Sequence, residues 1–203
     1  MRRYICVIFL LLMAWGSMTG RNIQEVWLSM PDSIIPFIDR SHRIEMLDFA
    51  LMNANATTDN RLQGKSRIDT LTSNFMKVEL TESSNLQIKL LPTAGGDTLI
   101  CMIHSYKSDA IESVICFFYT DWKKAAVDLP HFDLPERPDT MDVSTYSQLL
   151  TSLEPHISHA ELNPSDNSLK QEWSLPLLSK EERKQMKSLC LLHIWHWNGT
   201  RFE

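Results

Sequence analysis

The residues able to do chemistry are concentrated in two Cys-x-x-His segments, Cys101–His104 and Cys190–His193, and in the run His193-Ile194-Trp195-His196-Trp197 near the end of the chain. A cysteine nucleophile needs an imidazole within hydrogen-bond reach of its thiolate. Both Cys-x-x-His segments are apolar and strand-like, and positions three apart on a strand point to opposite faces, so neither pair can act together. The same geometry keeps His193 from sharing an ion with His196, and His156 from sharing one with His159. His131 and Asp133 share a face of an extended segment but supply only two ligands. Carboxylate pairs such as Glu181-Glu182, or Asp133 with Glu136, read as solvated surface. HExxH, G-x-S-x-G, P-loop and dinucleotide fingerprints are absent from the sequence. No catalytic residue, metal site or cofactor is therefore assigned.

The aromatic residues are the better candidates. Trp195 and Trp197 share one face of the last strand, Phe202 returns beside them after the Asn198-Gly199 turn, and Trp173 is placed nearby. Exposed, these side chains would form a stacking platform for a sugar or an anchor for a partner. Buried, they are core.

These residues depend on strands to position them. The stretch Asp97–Tyr119 reads as a long β-hairpin that is apolar on both faces, which belongs in the middle of a covered sheet. A four-residue turn at Lys107–Ala110 sets Cys101 opposite Cys116, Leu99 opposite Phe118 and Met102 opposite Ile115. Cys101 and Cys116 are then candidates for a cross-strand disulfide. The preferred reading leaves Cys101, Cys116 and Cys190 as small buried hydrophobes, since three cysteines beyond the first twenty residues make a poor disulfide framework.

Upstream, Asn22–Asn53 reads as helical and broken by Pro31 and Pro36. Ser41 caps a helix whose apolar stripe is Ile44, Leu47, Ala50 and Leu51. Strands are expected at Arg67–Thr72, Phe75–Leu80 and Leu86–Leu91. The last two pair Leu80 with Leu86 and Val78 with Ile88, and their other face (Lys77, Glu79, Gln87, Lys89) is expected to be half exposed. Downstream come a helix bearing Tyr146, Leu149, Leu150 and Leu153, strands at His156–Leu162 and Leu169–Leu175, a short helix over Ser179–Lys187 and a strand at Leu189–Trp197.

Short matches link the two halves: Val78–Leu86 with Ala160–Leu169, and Cys101–Tyr106 with Cys190–Trp195. The expected fold is α+β, two tandem helix-plus-antiparallel-sheet units merged edge to edge into one larger sheet with helices on one face. The expected division is a first unit over 21–122, a proline-containing linker over 123–142 and a shorter second unit over 143–203.

Residues 1–20 carry the layout of a secretory signal peptide. Arg2 and Arg3 precede about ten apolar residues, too few to span a bilayer, and a small-residue tail follows. Removing them leaves 18 basic against 25 acidic residues, a net charge of −7. That balance argues against a nucleic-acid partner, and no later apolar run is long enough to cross a membrane.

The segments Trp27–Phe49, with Met30-Pro31-Asp32-Ser33 at its heart, Leu71–Leu80 and Phe118-Tyr119-Thr120-Asp121-Trp122 resemble an exported protein family of Bacteroidales. The resemblance implies an envelope or extracellular location and transfers no catalytic residues. It also implies a group in which Asp-Ser/Thr-apolar triplets such as Asp139-Thr140-Met141 can carry O-linked glycans. The resulting expectation is an exported binding module in the periplasm, at the cell surface or outside the cell, its partner an envelope protein or a glycan. The alternatives are an envelope enzyme without a recognisable motif and a self-associating structural component.

Overall fold

A computed structural model describes residues 21–54, 56–154, 156–175, 183, 184, 186, 189 and 191–203. The expected signal peptide, Cys190 and most of the short helix over 179–187 lie outside them.

The chain begins with two helices. Helix α1 (Ile23–Ser29) is capped by Asn22, whose side chain accepts from the Glu25 N–H, and it buries Ile23, Val26 and Trp27 at helical spacing. Helix α2 (Arg40–Leu51) is capped by Asp39, two residues before the expected Ser41. Its buried stripe is Arg43, Met46 and Leu47, while Leu51 is exposed. The expected stripe is thus turned by about one position, because a charged residue occupies the inward side.

Six strands follow as an antiparallel meander in the order β1 (Thr58–Asp59), β2 (Lys65–Leu71), β3 (Phe75–Thr81), β4 (Ser84–Pro92), β5 (Thr98–Lys107) and β6 (Ile111–Tyr119). The β3–β4 register sets Val78 opposite Leu86 and Met76 opposite Ile88, two residues from the expected pairing. A slip of two preserves faces, so Met76, Val78, Leu80, Leu86, Ile88 and Leu90 still share one side. The β5–β6 register differs by one. The loop is Ser108–Ala110, Cys101 lies opposite Phe117 and Met102 opposite Cys116. An odd slip exchanges faces. Cys101 therefore points to one side of the sheet and Cys116 to the other, and both thiols are free.

The rest of the described chain covers the second side. An extended segment from Lys123 leads to helix α3 (Val143–Thr151), capped by Asp142, and then to a separate antiparallel sheet, β7 (Ser158–Leu162), β8 (Ser168–Trp173) and β9 (Leu192–His196). The protein is α+β, but the two sheets do not merge. Helices α1 and α2 pack on one side of the six-stranded sheet around Trp27, Met46, Val78, Ile88, Ile100 and Phe118. The small sheet lies on the other side, where Phe75, Leu91, Cys101, Ile103 and Phe117 meet Ala160, Leu162, Leu169 and Phe202.

Polar side chains of the large sheet govern that contact. Edge strand β7 turns the N–H groups of Ala160 and Leu162 toward it, where the Ser113 hydroxyl accepts at 3.0 Å and Gln87 Oε1 at 2.8 Å. Lys89 Nζ donates to the Asn163 and Pro164 carbonyls at 3.0 Å each. Gln87 and Lys89 are thus buried, contrary to the half-exposed expectation. They satisfy backbone groups that would otherwise be stranded at a covered sheet edge.

Candidate functional site

The residues that carry the Bacteroidales resemblance have structural work. Arg43, 1% exposed, donates from Nη2 to the Met30 carbonyl at 2.6 Å and from Nη1 to the Ile38 carbonyl at 2.8 Å, and pairs with the Asp32 carboxylate at 2.8 Å. Its own carbonyl accepts the Trp27 indole N–H at 3.0 Å. At the other end of the run, Trp122 donates its indole N–H to the Val26 carbonyl, tying α1 to the end of β6. Met30-Pro31-Asp32-Ser33 is therefore a loop clasped by a buried guanidinium.

Cys101 is fully buried, and burial pushes its thiol well above the ordinary range, so it is not a nucleophile at neutral pH. Among the described residues, no group of three or more His, Cys, Asp or Glu side chains is arranged to hold a metal ion.

The aromatic candidates divide. Phe202 is buried, and Trp197 packs at 5.3 Å from it and 6.3 Å from Phe117 while donating its indole N–H to the Pro92 carbonyl. Those two rings join the C-terminal hairpin to the large sheet. Gly199, at φ +100°, receives the Ala94 N–H on its carbonyl, and an added Cβ there would stand 3.1 Å from that same nitrogen. Trp173 lies elsewhere, stacked at 4.7 Å on Phe132 and edge-on to His156 at 5.7 Å. It joins the extended segment and the α3 cluster.

Trp195 is half-buried, and it reaches open space. Its indole N–H donates to Gln171 Oε1 at 3.2 Å, which fixes the ring. Together with Phe202, Leu129 and Pro130 it lines a groove of about 300 Å³. Asp128, Arg201 and Glu203 also line it, with Arg201 and Glu203 paired at 3.5 Å. The structure thus brings Trp195 and Phe202 to one site and places Trp197 and Trp173 in packing roles. Leu129 and Pro130 escaped the sequence reading, since an extended proline-containing segment has no periodicity to say which residues face inward.

A second cleft, about 220 Å³, lies between the β5–β6 loop (Asp109–Ile111) and β8 residues Glu172 and Trp173. His159, 12% exposed, sits there with Nδ1 3.6 Å from Glu172 and Nε2 3.9 Å from Glu161. Burial tends to raise the Glu172 carboxyl, but hydrogen bonds to Lys170 and the pairing with His159 outweigh it and leave it lowered. A further cavity, about 430 Å³, runs along β2 beside Asn53, Ala54 and Ala56.

A three-layer arrangement of helices, a six-stranded meander and a small covering sheet defines the class. The family described as "Protein of unknown function (DUF3256)" matches residues 16–202, and the chain belongs to it. A solved domain of an uncharacterized protein from Porphyromonas gingivalis W83 is similar in fold, with a TM-score of 0.71 and 18% identity over 89% of this chain and 96% of that one. No curated protein matches.

Proposed function

We propose that this protein is an exported binding module of the cell envelope or extracellular space, acting through the groove at Trp195. The observation that carries this reading is a half-buried indole, held by Gln171, that lines an open groove with Leu129 and Pro130. A fixed aromatic surface bounded by aliphatic side chains offers binding area at little entropic cost. Export is supported by the charged and apolar layout of residues 1–20, and among the described residues no helix is long and apolar enough to cross a membrane.

The test is capture from envelope fractions by the mature chain, by Trp195→Ala and by Trp197→Ala, each checked for native folding. Loss of captured components with Trp195→Ala alone supports the reading, and equal capture by all three removes it. Fractionation of the producing cells, with the N-terminus of the product determined, tests export directly.

One observation favours an envelope enzyme instead: the enclosed His159 flanked by Glu161 and Glu172 beside a cleft. An activity that is lost in His159→Gln while the fold is kept would select that alternative. We also propose that the halves are degenerate repeats. The β3–β4–β5 and β7–β8–β9 segments are both antiparallel meanders, and of the matched residues Leu80 and Leu162 fall on β3 and β7, Leu86 and Leu169 on β4 and β8, and His104 and His193 on β5 and β9.

A further inference from the structure

We propose that the occupant of the Trp195 groove is a basic peptide segment that inserts an arginine side chain, an inference resting on the binding-module reading above. The walls, Trp195, Phe202, Leu129 and Pro130, are apolar. The one polar hydrogen of the Trp195 ring is already donated to Gln171, so the interior holds little to receive the many hydroxyls of a glycan. The charged side chains of the lining are Asp128, Arg201 and Glu203, and their charge is unbalanced. Arg201 is paired with Glu203, whereas the Asp128 carboxylate has no hydrogen bond or ion pair among the described residues. An aromatic face beside an unpaired carboxylate suits a cation that is flat and weakly hydrated. A guanidinium stacks on the indole and presents paired N–H groups to the carboxylate, which an ammonium cannot do. A volume of about 300 Å³ is at the small end for ligand sites and suits a side chain or two, not a folded surface. The net charge of −7 that remains without residues 1–20 would steer a basic partner toward it.

The experiment titrates the mature, ¹⁵N-labelled chain with three probes and follows the Trp195 indole resonance, assigned with Trp195→Phe. The probes are acetyl-leucyl-arginine amide, its citrulline counterpart (neutral, of the same shape) and cellobiose. The expected result is a saturable shift with the arginine dipeptide, about tenfold weaker with citrulline, and weakened by added salt. Asp128→Asn should bring the two dipeptides level. Equal responses to arginine and citrulline in the unmodified chain overturn the inference, as does an arginine preference that survives Asp128→Asn. A shift with cellobiose alone also overturns it, while leaving the groove as a binding site. Silence from all three probes overturns it as well, and takes the binding-module reading with it only if Trp195→Ala captures the same envelope components as the unmodified chain.

Discussion

Arg43 shows what a single side chain does here. Its guanidinium gathers two backbone carbonyls and a carboxylate from a loop whose own backbone bonding is limited to isolated turns. Arg43→Ala strands the two carbonyls, while the exposed Asp32 carboxylate returns to water, and should cost about 2–4 kcal/mol in urea unfolding. Asp32→Asn, at a carboxylate 58% exposed, should cost less than about 1 kcal/mol. The cysteines give a second residue-level prediction. Alkylation of the native protein should spare Cys101, and under denaturing, non-reducing conditions both Cys101 and Cys116 should be modified, since no bridge joins them. Arg43, Gln87 and Lys89 were the residues least legible from the sequence. Polarity ordinarily marks the solvated side of an element. These three are buried because distant backbone groups, invisible in local pattern, accept or donate to them.

At the scale of elements, strand existence and facing were readable from alternation, but pairing was not. The β3–β4 and β5–β6 hairpins are both present, and their registers differ from expectation by two residues and by one. Loop length decides register, and a polar loop carries little signal for where the last paired residue lies. The odd slip separated the two cysteines, and the even one was harmless. Helix caps were legible in kind but not in position. Asp39 accepts the N–H groups of His42 and Ser41, bonds the His42 ring and pairs with Arg61. The His42 N–H contributes most to holding its carboxyl at about 2, below the ordinary 3.8. The folded state therefore takes up this proton at lower pH than the unfolded state does. The cap's contribution is complete above 3.8 and is lost as pH falls from there to about 2. Asp39→Asn should lower stability near neutrality and flatten that part of the acid limb, as read from thermal melts across the same range.

Over the whole molecule, among the described residues, the second side of the large sheet is covered by the later part of the chain. Phe75, Cys101, Ile103 and Phe117 share a core with β7, β8 and Phe202, so the two sheets should unfold in one transition, with near- and far-ultraviolet dichroism coinciding. Lys89→Met should loosen the β7–β8 turn, visible as faster amide exchange near Asn163–Asn167, by removing the donor to two carbonyls. Gly199→Ala should cost about 1–2 kcal/mol, since its backbone lies in the left-handed region.

The closing clamp, in which Trp197 and Gly199 hold the β4–β5 turn, is made by residues that follow that turn far along the chain, Trp197 lying 105 positions after Pro92. A nascent chain can assemble its six-stranded meander early and must then wait, one greasy side bare, for β7, β8 and the residues around Phe202. Ribosome-stalled chains ending near residue 190 should accordingly engage holdase chaperones, and release of a chain that includes Trp197–Phe202 should free them.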